Sequence, residues 1–138
     1  MNNSPLSPSG SDQRESNLSY PRSYRKVGNL LFLSGVGPNT KLANAGTDAP
    51  LATPDFAAQC DAAFAALDSV LIFAGSSRAE VVDVTAFLTD IAGDYEIFCS
   101  KWATFFTGLE LEPCCTAVQV AALINGNAIE LKAIATVV

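Results

Sequence analysis

Residues 53–88 read TPDFAAQCDAAFAALDSVLIFAGSSRAEVVDVTAFL, and this stretch decides the fold class. Phe56, Cys60, Phe64, Leu67 and Leu71 recur at helical spacing through an alanine-rich segment, which predicts a helix with one apolar face. Thr53 is placed to cap it, Pro54 to occupy its first turn, and Asp55 to sit at the positive end of its dipole. Gly75 fits the C-terminal cap. Ser77-Arg-Ala-Glu80 matches a capping box, so a single turn is expected next. The period then changes. Val81 to Leu88 is β-branched and alternating, the pattern of a strand.

Working outward, the same alternation of element types continues. Asp94 is placed to cap a second helix, with Tyr95, Phe98, Trp102 and Phe105/Phe106 along one face and Gly108 ending it. Thr116–Leu123 and Ala128–Val137 read as two further strands, and Asn125-Gly126-Asn127 between them is a hairpin signal. Upstream, Leu30 to Ser34 is a short apolar strand after the Gly28-Asn29 turn. The segment 35–54 is a long loop, of the length that tends to be functional or mobile. Residues 1–19 are rich in Ser, Asn and Pro and read as a flexible tail; residues 20–138 form one domain. The order β(β)αβαββ predicts an α+β sandwich, and two helices can cover only one face of its sheet. The other face is expected to pack against a second copy of the chain.

Composition narrows the chemistry. Apolar residues make up 49% and charged residues 16% of 138, which suits one globular domain with a sizeable core. No apolar run approaching a membrane span is expected, and Met-Asn-Asn-Ser lacks the order of a signal peptide, so the cytoplasm is the expected location. A net charge of −6 argues against nucleic acid as a partner. The chain has no histidine, so the usual neutral-pH proton carrier is absent. Cys60, Cys99, Cys114 and Cys115 show no C-x-x-C spacing, so no zinc site is expected. Cys60 and Cys99 can be read as small core residues of the two helices.

Five blocks then carry a resemblance: Gly28-Asn-Leu-Leu-Phe-Leu-Ser-Gly35, Ala74-Gly-Ser-Ser77, Val81 to Asp90, Phe105-Phe106 and Ile129-Glu-Leu-Lys-Ala-Ile-Ala135. In order and spacing they resemble the RidA/YjgF family over roughly residues 20–138. The resemblance implies a chorismate-mutase-like fold and a homotrimer with active sites in the clefts between subunits and no cofactor. Well-known members hydrolyse reactive enamines and imines to ammonia and a keto acid. They grip the substrate carboxylate with an arginine in a Pro-Ala-Arg-Ser-type segment. Here that segment is Pro113-Cys-Cys-Thr116, and Cys115 stands at the arginine position. An asparagine of many relatives falls on Cys99, while the glutamate held to orient water is kept as Glu130. Tyr20-Pro-Arg-Ser-Tyr-Arg-Lys-Val-Gly28 resembles the opening of the 2-aminomuconate deaminases, although those relatives tend to keep the arginine.

A thiol cannot replace a cation that makes a two-pronged contact with carboxylate. Cys115 is therefore a residue that makes room for a bulkier substrate, a polarisable donor, or a nucleophile, and the first two are favoured because imine hydrolysis needs no covalent intermediate. Glu130 shares its strand face with Lys132 and Ile134, either as the group that activates water or as an exposed carboxylate paired with Lys132. Arg22, Arg25 and Lys26 are the dense basic cluster of an acidic chain; they either supply the missing charge or solvate an edge strand. Tyr20 and Tyr24 are candidates for a ring wall, or simply for packing. Phe98 and Cys99 are expected to shape the cleft, with Cys114, Thr116, Ser34 and Gly35 at its margin. The expected reaction is hydrolysis of an enamine or imine dicarboxylate, 2-aminomuconate or a substituted form. One rival is a silent ligand-binding trimer. The other is a redox-responsive chaperone-like protein that uses Cys114 and Cys115.

Overall fold

The computed structural model describes residues 23–38 and 55–137. The elements run β1 (Tyr24–Val27), β2 (Leu30–Val36), α1 (Phe56–Phe73), β3 (Val81–Leu88), α2 (Ile91–Phe105), β4 (Cys114–Gln119) and β5 (Ile129–Thr136). This is the expected α+β order, with a 3-10 turn at Arg78–Glu80 before β3. The strands form one sheet in the order β1-β2-β5-β3-β4.

The register assigns the two faces. Leu33 pairs with Ala133, which pairs with Val84, and all three are buried; the next rung of the same face joins Val36, Leu131 and Ala86. Against this face lie Cys60, Ala63, Phe64, Leu67 and Leu71 of α1, fully or nearly fully buried as the helical spacing predicts. Burial of each large apolar side chain contributes about 1.5–3 kcal/mol. Phe64 anchors the seam between the helices, with ring centroids 4.9 Å from Phe105, 6.0 Å from Phe98 and 6.3 Å from Phe106.

The helix ends differ from expectation in instructive ways. Asp55, not Thr53, caps α1: its carboxylate accepts from Ala58 N at 2.9 Å. Thr53 and Pro54 lie outside the described residues. Asp90, not Asp94, caps α2, accepting from Gly93 N at 3.2 Å, and Asp94 falls in the first turn. An acidic residue at either place suits the helix dipole, so the composition of a first turn does not fix which residue is the cap. Gly75 behaves as predicted. Its φ of +86° lets Ser76 N reach Leu71 O at 2.8 Å while Gly75 N reaches Ile72 O at 3.1 Å, closing the helix with both bonds of a Schellman motif. The capping box at Ser77 does not form, since Ser77 makes no side-chain cap bond. Glu80 instead takes a short hydrogen bond from Thr136 Oγ1.

Two larger expectations are corrected. Asn125 and Gly126 do adopt the left-handed conformations of a tight turn, with φ of +60° and +68°. Yet β4 and β5 are not a hairpin: β3 lies between them, parallel to β4 and antiparallel to β5. The local turn is real, but the pairing it advertises is lost because β3 offers each strand a partner. The second correction concerns α1, 18 residues with a mean hydropathy of 1.5, which is long and apolar enough by length and composition to cross a membrane. One side of it packs on β2, β5 and α2, which accounts for the apolar residues of that side.

Candidate functional site

The candidate residues fall into three places. The first is the seam between α2 and β4. β4 is an edge strand whose Cys115 pairs with Val84 and so turns to the helix side of the sheet, whereas Cys114 and Thr116 pair with Asp83 and Thr85 and turn to the uncovered side. Tyr95 and Cys99, one turn apart on α2, are hydrogen-bonded to each other, and both interact electrostatically with Cys115. Burial, then Cys99, then Asp83 push the Cys115 thiol up to about 11. The bond to Cys99 likewise raises the Tyr95 phenol above its ordinary value. A thiol raised in this way stays protonated at neutral pH. That shift runs against a nucleophile, which needs a lowered thiol pKa.

The second place is the face of the sheet that no helix covers among the described residues. Glu130 is half-buried there, paired with Phe87, and Lys132 pairs with Thr85 one rung on, as the strand alternation predicts. Between Leu33 and Val36 the β2–β5 register shifts, so Ser34 and Gly35 together face Lys132 in a bulge. Gly35 takes φ of +71°, a conformation that a side chain would resist. Phe32 and Ile134 pair on the same face, and Arg25 pairs with Phe32 from β1.

The third place is the β1 edge. Tyr24 turns to the helix side, where its ring meets Phe73 edge-on at 6.3 Å. Lys26 also turns that way, towards the end of α1, with its Nζ 3.7 Å from where a Cβ on Gly75 would stand. A cation there complements the helix C-terminus. Of the basic cluster, then, Arg25 alone is placed on the uncovered face; Arg22, like Tyr20, lies outside the described residues.

Within one chain these places stay apart. β1 and β4 are opposite edges of the sheet, about four strand spacings or roughly 19 Å from each other. Cys115 and Glu130 sit on opposite faces. Phe98 is 2% exposed and stacked on Phe64, so it supports α2 from below and does not wall a cleft. Cys99 is exposed and not the core residue it resembles in the pattern, whereas Cys60 is fully buried, with its thiol pushed up to about 12 chiefly by burial. Among the described residues no three Cys, Asp or Glu side chains gather as a metal-holding group.

Sequence reasoning passed over two residues. Phe87 flanks Glu130 and was legible in the alternation of β3, where it shares a face with Asp83 and Thr85. Gln59 carried no signal: it is a lone amide on the apolar side of α1, yet its Oε1 accepts from Ala128 N at 2.8 Å and so fixes the start of β5 two residues before Glu130.

Comparison with known proteins now gives the family. A family model described as Endoribonuclease L-PSP matches residues 12–137. The chain belongs to this family, the RidA/YjgF proteins. The Myxococcus xanthus protein DfrA is 35% identical over 109 residues, which is 79% of this chain and 77% of that one. The crystal structure of YEO7_yeast is 33% identical with a TM-score of 0.74, covering 87% of this chain and 88% of its own. RidA from an Antarctic Psychrobacter is 26% identical with a TM-score of 0.70, over 87% of this chain and 90% of that one. The fold of the RidA/YjgF proteins is thus that of this chain.

Proposed function

We propose that the chain is a cofactor-independent cytoplasmic deaminase that hydrolyses an enamine or imine dicarboxylate, 2-aminomuconate or a substituted form, at sites between the subunits of a homotrimer. The single observation that carries the reading is the place of Glu130. A half-buried carboxylate on the sheet face that no described helix covers, beside Phe87, is ready to be closed in by another copy and to act on water. In the reaction the enamine takes a proton at carbon to give the imine. Glu130 removes a proton from water as its oxygen bonds to the C=N carbon. The proton then passes to nitrogen, the C–N bond breaks, and ammonia leaves a carbonyl behind. A dicarboxylate needs cationic or N–H-rich anchors. Arg25, on the same face as Glu130 at the β1 edge, is the anchor assigned here, reaching a neighbouring copy's site. Likeness of residues 20–28 to the aminomuconate branch supports the substrate class.

Ribonuclease chemistry, named in the family's description, finds less support. It calls for cations on phosphate and a pair of proton carriers, and this chain has a net charge of −6 and no histidine. A second reading does have an observation behind it. Among the described residues, the charged groups that act on Cys115 are Cys99 and Asp83 and neither is a cation, which favours a ligand-binding trimer without turnover. The deciding measurement is ammonia release from freshly generated 2-aminomuconate, beside 2-iminobutyrate, for wild type and Glu130→Gln. Turnover of the muconate that is lost in the variant supports the deaminase. Saturable binding by calorimetry with no ammonia from either compound establishes the ligand-binding reading instead.

A further inference from the structure

The described cations have separate places and duties, and Lys132 stands apart from the rest. Arg78 donates to Phe105 O at 3.3 Å, Lys101 pairs with Asp61 at 3.0 Å, Lys26 lies near the C-terminal end of α1, and Arg25 belongs to the β1 edge. Lys132 belongs to β5, the middle strand of the sheet, so it has no edge to protect from pairing. It is exposed on the face that no described helix covers, two residues from Glu130 and so roughly 7 Å away along the strand. Among the described residues it forms no ion pair, either with Glu130 or with Asp83, which lies diagonally across on β3.

Its neighbours across the sheet are small and polar. Thr85 of β3 pairs with it directly, Thr116 of β4 follows on the next strand, and the Ser34-Gly35 bulge of β2 stands on its other side. The neighbouring rungs carry large apolar groups, Phe32 and Ile134 in one, Phe87 and Val118 beside Glu130 in the other. A carboxylate laid over the middle rung therefore meets one ammonium and a row of hydroxyls, which suits its several lone-pair sites. We propose that Lys132 is a substrate-binding residue, the cation that holds one carboxylate of the dicarboxylate while Glu130 acts at the C=N carbon. The inference rests on the deaminase reading for the identity of the ligand and deepens it. Arg25 of a neighbouring copy anchors one carboxylate, and Lys132 anchors the other from the same chain as Glu130. Lysine is a compact charge on a flexible stem, so it can take one oxygen and leave the second to Thr85 or Ser34.

The test uses the full chain and two ligands that differ in one group. The first, trans,trans-muconate, lacks the amine and is not turned over; sorbate is the same diene chain with a methyl in place of one carboxylate. Both are titrated by calorimetry. With two anchors present, the wild type should prefer muconate to sorbate by about 10–100-fold, the worth of one charge-assisted hydrogen bond. Lys132→Met keeps the length of the side chain and removes its charge, so the preference should fall to near unity. Lys101→Met removes a cation from the helix layer and should keep the preference. A wild type that does not distinguish the two ligands, a preference unchanged in Lys132→Met, or one lost equally in Lys101→Met would each overturn the proposal. Ammonia release from 2-aminomuconate by the wild type tells this failure from that of the deaminase reading. A preference that needs Lys132, with no ammonia, keeps the anion site and removes the deaminase; ammonia with a preference indifferent to Lys132 keeps the deaminase and removes the anchor.

Discussion

Gln59→Ala tests whether a buried amide sets the position of the strand that carries Glu130. Gln59 is 7% exposed, and its Oε1 accepts from Ala128 N at 2.8 Å across the α1–β5 contact. Truncation leaves that N–H without its side-chain acceptor, at a cost of about 1–3 kcal/mol. It also removes one buried methylene, worth about 0.8 kcal/mol. The sum is about 2–4 kcal/mol, and for a chain of this size that lowers the unfolding midpoint by about 6–15 °C. Thermal unfolding by near-UV circular dichroism reads it, with all variants at one protein concentration. Gln59→Leu separates the two contributions, since it fills the volume and supplies no acceptor. It should keep most of the loss. A drop of less than about 3 °C for the alanine variant, or full recovery in the leucine variant, would refute the account of the bond as the strand's anchor.

Cys115 alkylation by iodoacetamide should keep rising about tenfold per pH unit from pH 7 to 10, because the thiolate population grows until the pH reaches its value of about 11; peptide mass spectrometry that found a plateau below pH 9 would contradict that environment. Cys60, fully buried, should label only in denaturant. Gly35→Ala should cost about 1–2 kcal/mol, since φ is +71° while a Cβ would meet nothing within 4 Å, so the loss is conformational and not steric; urea unfolding measures it. Asp55→Ala should destabilise by about 1 kcal/mol through loss of the α1 cap, whereas Asp94→Ala should cost less, because Asp90 holds that cap; parallel urea curves would settle the order.

What could be read from the sequence was whatever one element decides by itself. The α1 face from Phe56 to Leu71, the stop at Gly75 and the alternation that pairs Glu130 with Lys132 on one face all follow from helical or strand period. Partner choice was not legible, because Asn125-Gly126 shapes a turn whatever strands lie beyond it, and β3 takes the place a hairpin would fill. The faces of the vicinal cysteines were hidden for a related reason. A strand taken to begin at Thr116 leaves Cys114 and Cys115 outside its alternation, and it begins at Cys114. Gln59 was invisible because nothing local distinguishes an amide that bonds a distant strand from one that faces water.

The sheet order has a consequence for any function that needs all these residues at once. Arg25 belongs to one edge strand and Cys115 to the other, with β2, β5 and β3 between them, and Glu130 lies on the face away from Cys115. No side-chain rotation closes a gap of about 19 Å. A single chain can therefore use Glu130 with the Ser34-Gly35 bulge, or Cys115 with Tyr95 and Cys99, but it cannot use Arg25 together with Cys115. If a dicarboxylate is the substrate, the charge absent at Cys115 must arrive from a second copy whose β1 edge approaches the first copy's β4 edge. Arg25→Ala should then abolish activity in pure variant protein. Mixed assemblies with Glu130→Gln chains should recover part of it, because some interfaces would pair an intact Arg25 from one chain with an intact Glu130 from another. Absence of any recovery on mixing would place both residues, which share a face two strands apart, in the service of a single chain and would refute the site between copies.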